Sequence, residues 1–220
     1  LPNSMEFRMY PVKKKPEPDN FDKTVRQRGM KFLKKTPNPS RKEWDTHAYW
    51  QQILPQMRKA YNNICAYCAI WISSAHGAES IDHFIPKSQN PELAYEWDNY
   101  RYSSLKFNRK KGKKTVLDPF EIRDNWFVMD FPSLFIHSNK KIADVPVKQK
   151  IENTINVFKF NEDEKFLEEC QEYIKYYCIG DITFDYLERK APFIAYELKR
   201  QGLIERIKGM MNFSKYPGEE

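Results

Sequence analysis

From Glu79 to Ile85 apolar and polar side chains alternate with the two-residue period of a half-buried strand, and Pro86 closes the run. After a loop over Lys87 to Glu96, Asn99 to Ser103 forms a second strand with Tyr100 and Tyr102 on one face. Ser104 to Lys110 then starts a helix that Gly112 ends. Upstream, a short helix is predicted near Lys23 to Leu33, and Ser40 is placed to cap a helix running through Asn62. Trp44, Tyr49, Trp50, Ile53, Leu54 and Met57 form the stripe of that second helix, with Pro55 bending or interrupting it. Downstream, Asn125 to Phe131 and Ser133 to His137 read as two short strands. Helices follow over Val147 to Phe158, Asp163 to Cys178 and Phe184 to Gly209, where Ile151, Ile155 and Phe158, then Ile174 and Tyr177, then Leu187, Ile194 and Leu198 recur at helical spacing.

The pattern therefore predicts an α+β protein. At 220 residues and 26.4 kDa one sizeable core is within reach. With 40% hydrophobic, 15% aromatic and 30% charged residues, the chain is too apolar for disorder, and no apolar run reaches the length of a membrane span. The start lacks the basic-then-apolar pattern of a signal peptide, so a cytoplasmic location with no membrane partner is expected. Residues 5–40 carry many charges and Pro11, Pro16, Pro18, Pro37 and Pro39, and residues 1–40 are expected to form a basic, mostly extended arm. Leu1 to Ser4, ahead of Met5, look like a cloning scar. Residues 41–120 would hold the core with its preceding helix, and 121–220 short strands and a mostly helical region packed on it. Ser73 to Ala78 reads as a polar loop, and the end around Pro217-Gly218 as frayed.

Charge adds a partner class. The formal net charge is +7, and an excess of that sign favours a polyanion. Seven cations, Arg101, Lys106, Arg109, Lys110, Lys111, Lys113 and Lys114, fall between Arg101 and Thr115 with no acid among them. They are expected to hold a nucleic-acid backbone. The four cysteines, Cys65, Cys68, Cys170 and Cys178, are too few for a disulfide scaffold, and the C-x-x-C pair points to metal or redox chemistry instead.

The candidate chemistry lies where the two strands and the helix meet. Hydrolysing a phosphodiester requires an activated water, neutralised phosphoryl oxygens and help for the departing oxyanion. A hard divalent ion such as Mg²⁺ takes oxygen ligands and keeps several waters, which Asp82 and Asn108 suit as ligands. A histidine titrating near neutrality suits the deprotonation of water, and His83 is placed for it. Neighbouring residues of a flat strand point to opposite faces, so the strand has to kink or end at the Asp82-His83 pair.

The order Ile81-Asp82-His83-Phe84-Ile85-Pro86, Trp97-Asp98-Asn99-Tyr100-Arg101 and Phe107-Asn108-Arg109-Lys110-Lys111-Gly112 resembles the HNH nucleases, with Asn in place of the last His. That resemblance implies a ββα-metal core and a Mg²⁺- or Mn²⁺-dependent endonuclease acting on double-stranded DNA. It implies His83 as general base, Asp82 and Asn108 as metal ligands, and Asn99 as the residue that bonds the intervening loop and fixes the histidine. Many family members also carry two C-x-x-C pairs around a structural Zn²⁺. Here Ser104 and Phe107 occupy the places of the second pair, two thiolates do not close a four-ligand site, and Cys65 and Cys68 are expected to be buried apolar residues; a structural zinc on them stays open only if the C-terminal helices fold back to bring Cys170 and Cys178 as further ligands. Ala94-Tyr95-Glu96-Trp97-Asp98-Asn99, Leu117-Asp118-Pro119, and Ile151-Glu152-Asn153-Thr154-Ile155 with Phe160-Asn161 resemble the bacterial HNH subgroup that includes the PtuB nucleases of antiphage systems. That likeness implies an antiviral defence role beside a regulatory ATPase protein. Two rivals remain open: an RNA or tRNA nuclease of the same chemistry, and a non-catalytic nucleic-acid-binding or assembly module.

Overall fold

The described residues, 12–73, 78–211 and 213 of a computed structural model, fold into two units, each with its own two-stranded antiparallel sheet. The expected scar, the first part of the arm, the middle of the Ser73 to Ala78 loop and the Pro217-Gly218 tail lie outside the described residues.

One unit comprises Lys13–Cys68 and Ile72–Lys114. A π-helical turn at Asp22–Arg26 runs into α1 (Gln27–Leu33), within the span predicted for a short helix. The arm expected over residues 1–40 is, from Lys13 on, part of this unit. Phe21 and Val25 are fully buried, Phe32 and Leu33 nearly so, and Arg26 pairs with Glu17, Asp22 and Glu96. Counting prolines and charges missed these four apolar anchors. Ser40 caps α2 (Arg41–Thr46) in a reciprocal capping box with Glu43. The helix predicted to continue through Asn62 stops there, because His47 leaves helical geometry at φ −116° and ψ 30°. A 3₁₀ segment at Tyr49–Ile53 leads into α3 (Leu54–Ala60), with Pro55 in its first turn. Pro55 thus starts a helix rather than bending one, since its missing N–H would have no partner there anyway.

β1 (Glu79–His83) pairs with β2 (Tyr100–Ser104), Ile81 opposite Tyr102 and His83 opposite Tyr100. α4 (Leu105–Lys111) packs on both strands. The Ser104 hydroxyl starts it by accepting the Phe107 N–H, and Gly112 ends it at φ +51°, where a side chain would be strained. The two strands and the helix follow in the order the residue pattern predicts.

The other unit takes in Val12, Ala69–Trp71 and the described residues from Thr115 onward. Thr115 to Phe120 therefore group with the helices and not with the preceding strands. The reason is local: the Leu117 N–H donates to Thr154 Oγ1 and the Asn153 amide to the Thr115 carbonyl. β3 (Phe127–Met129) pairs with β4 (Ile136–Ser138). Asp144, Asp163 and Thr183 cap α5 (Val145–Phe158), α6 (Glu164–Ile179) and α7 (Phe184–Lys190). The single helix predicted over Phe184 to Gly209 is three: α7, α8 (Pro192–Arg200) and α9 (Ile207–Met211). Pro192 has no N–H to continue α7, Ala191 turns out at φ −138°, and Gly202 follows α8 at φ +66°. No helix among the described residues is long and apolar enough to cross a membrane.

Candidate active site

β1 ends at His83, and at that end both Asp82 and His83 line one cavity of about 660 Å³. Asn108 reaches the same cavity from the end of the first turn of α4. Trp44 and Trp50 wall it from α2 and the 3₁₀ segment, with Arg41, Lys87 and Lys113 also on its lining. The Asp82-His83 pair and Asn108, which lies well down the chain from it, are therefore neighbours in space because strand end and helix face converge.

His83 is nearly buried between aromatic edges. Trp50 and Tyr100 stand perpendicular to its ring at centroid distances of 4.6 and 5.2 Å. Its Nε2 lies 2.9 Å from the Ala94 carbonyl, which can only accept, so Nε2 carries the proton and Nδ1 is left with the lone pair. Burial, then the charge of Lys87, lowers its pKa from 6.5 to about 3, with Lys111 adding to the effect and the Ala94 contact opposing it. The imidazole is neutral at physiological pH.

Asp82 is 3% exposed, and burial raises its pKa against the opposing pull of Lys111, Tyr67 and Arg101. Lys111 Nζ sits 3.2 Å from Oδ1 and 3.0 Å from Oδ2, and it also donates to the His83 carbonyl at 3.0 Å. The Tyr67 hydroxyl donates to Oδ2. Tyr67 stands between Cys65 and Cys68, so the C-x-x-C segment delivers a hydrogen-bond donor to the site. The pattern reading missed Tyr67; its only signal was a hydroxyl inside an apolar run.

Asn108 is oriented without ambiguity. Its Nδ2 donates to Ser80 Oγ at 3.1 Å and to the Ile81 carbonyl at 3.3 Å, and a carbonyl admits only a donor, so Oδ1 is the end left to accept. One carboxylate and one amide oxygen on a shared cavity wall fit a hard divalent cation in kind. Lys111 already neutralises that carboxylate, which makes Asp82 a weaker ligand than a free one. Among the described residues no group of three or more His, Cys, Asp or Glu gathers to hold a metal, so the ion would rest on Asp82 and Asn108 with solvent and phosphate oxygens.

Asn99 is not on the cavity wall; it holds the loop behind it. Its Oδ1 accepts the Ile85 N–H at 2.7 Å, and its Nδ2 donates to the carbonyls of Ile85 and Leu93 at 2.9 and 3.0 Å. Two of the seven expected backbone-holding cations are placed elsewhere. Lys111 is fully buried on Asp82, and Arg101, 3% exposed, donates to the carbonyls of Asp98 and Tyr100 and covers the Phe84 ring. Neither reaches solvent, so neither can hold a phosphate from this position. Lys106, Arg109, Lys113 and Lys114 are exposed and Lys110 half-buried. Lys106 and Lys110 lie beside the Phe107 ring.

Cys65 and Cys68 are buried. Burial pushes the Cys65 thiol up, but hydrogen bonds from Cys68 and from the backbone of Ser104, Cys68 and Tyr67 outweigh it and hold the thiol down at about 7. Glu79, at the start of β1, accepts from the Tyr102 hydroxyl at 2.7 Å and pairs with Arg58. No protein-family model matches the chain, and no curated protein matches it.

Proposed function

We propose that the chain is a Mg²⁺- or Mn²⁺-dependent endonuclease of the HNH type, hydrolysing phosphodiester bonds of double-stranded DNA. The observation that carries this reading is the shared cavity wall of Asp82, His83 and Asn108 at the junction of β1 and α4. His83, with its proton parked on Nε2 against Ala94, offers Nδ1 to the attacking water. Asp82 and Asn108 would hold a divalent ion, which would supply charge neutralisation at the phosphoryl oxygens and the departing oxygen. Tyr67 and Lys111 keep Asp82 in place, and Asn99 fixes the loop whose Ala94 carbonyl orients the histidine.

A base whose pKa is held near 3 is always deprotonated at neutral pH but is weak. The negative charge of an arriving phosphodiester opposes the part of this lowering that comes from Lys87 and Lys111, while the part that comes from burial stays. Exposed Arg109, Lys113 and Lys114 beside the site supply contacts to flanking phosphates.

The test incubates the full chain with supercoiled plasmid, and in parallel with a matched RNA, in Mg²⁺, in Mn²⁺ and in EDTA. Nicked or linear plasmid with either metal and none in EDTA is expected. Cutting of RNA alone would move the substrate class, and no cutting of either polymer would remove the nuclease reading.

A further inference from the structure

Lys87, like Arg41, is a cation of this site that the basic run in the sequence does not contain. It directly follows Pro86, and its place is set by backbone that the fold holds firmly. Asn99 grips both the N–H and the carbonyl of Ile85, and the Pro86 carbonyl accepts the N–H groups of Gln89 and Asn90. The turn so formed carries Lys87 back over the cavity, where its Nζ lies 4.4 Å from the Trp50 ring centroid and 5.5 Å from that of Trp44. Trp50 in turn stands 4.6 Å from His83.

The ammonium is half-buried, and burial lowers its pKa while Asp45 opposes this. It forms no ion pair within 4.0 Å with any carboxylate among the described residues. Indole faces return about 0.5–2 kcal/mol to a cation, less than the cost of taking an ammonium out of water, so such a group is poised for an anion. Arg41 and Lys113, both exposed, line the same cavity, whose acids are Asp45 and the Lys111-bound Asp82.

We propose that Lys87, with Arg41 and Lys113, forms a phosphate-binding subsite that takes a backbone phosphate of the nucleic acid and seats it beside His83. The subsite rests on the nuclease reading for its ligand class. It differs from the exposed α4 cations in being preformed, because aromatic walls restrict where the ammonium can go. An arriving phosphate oxygen meets a cation that has already lost part of its hydration, which makes the contact stronger than one on an open surface.

The experiment measures binding of a fluorescein-labelled DNA duplex by anisotropy over a KCl series, in EDTA so that no cleavage occurs. Lys87→Gln is expected to weaken binding about tenfold and to reduce the slope of log K against log salt by about one, while Lys87→Arg retains both. A folded Lys87→Gln protein, judged by its urea midpoint, with wild-type affinity and slope overturns the subsite. Should that variant not fold, reductively ¹³C-methylated wild type gives the answer. A Lys87 resonance that shifts on adding duplex supports the subsite, and one that stays fixed at saturation overturns it. Both readouts are independent of turnover. A wild type that cleaves while Lys87 proves indifferent to DNA removes the subsite alone, and a Lys87 response in a protein that never cleaves removes the nuclease reading alone.

Discussion

Lys111 Nζ lies 3.0 Å from a carboxylate oxygen of Asp82, and the two side chains are 1% and 4% exposed. A charge pair so enclosed has lost its hydration on both sides, and each member depends on the other for compensation. Lys111→Met is therefore expected to destabilise the protein by about 3–5 kcal/mol, because it strands a buried carboxylate. The double variant Asp82→Asn/Lys111→Met should recover most of that loss. Urea denaturation of wild type and the two variants checks this; a single-variant cost below about 1 kcal/mol would show that the pair carries little of the fold.

The same pair shows what the sequence conveys and what it conceals. Strand, strand and helix were legible because alternation, Ser104 and Gly112 are local signals. The junction of Asp82, His83 and Asn108 was legible because their order along the chain fits those three elements. Arg101 and Lys111 were misplaced because a count of charge carries no direction. Lys111 had a direction available, since it stands four residues after buried Phe107 and shares its helix face. Arg101, opposite Asp82 in the strand ladder, gave no such hint. Predicted helices were overlong wherever the apolar period ran through a helix end: at His47 ahead of Pro55, at Ala191-Pro192 and at Gly202.

The depressed pKa of His83 makes stability depend on pH. In the folded state the ring takes a proton only near pH 3, whereas in the unfolded chain it does so near 6.5. Between those values the unfolded state binds more protons, so stability present above about pH 6.5 falls as pH falls, by up to ~1.4 kcal/mol per pH unit from this group. His83→Gln removes the titration. Subtracting its urea-derived stability from that of wild type should leave a difference that is flat above neutrality and declines on acidification. A difference independent of pH from 7 to about 4 would mean that His83 is not buried neutral.

Gly29 tests the packing that carries the cavity's outer wall. A Cβ at this position would lie 2.0 Å from the Tyr95 ring, which stands against Trp44 and Trp50. Helix propensity alone favours alanine over glycine by about 1 kcal/mol. Overpacking of this kind costs about 1–3 kcal/mol, so Gly29→Ala is expected to destabilise on balance. A melting temperature equal to or above that of wild type would show that Tyr95 yields freely.

The central claim is that His83 activates water next to an ion held by Asp82 and Asn108. Its most direct measurement is the rate of plasmid nicking in Mg²⁺ by wild type and by His83→Ala, at equal folded concentration confirmed by urea midpoints. The account predicts cleavage by wild type and a loss of at least about a hundredfold in the variant, the usual scale for removing a general base. Equal rates in the two proteins would contradict it.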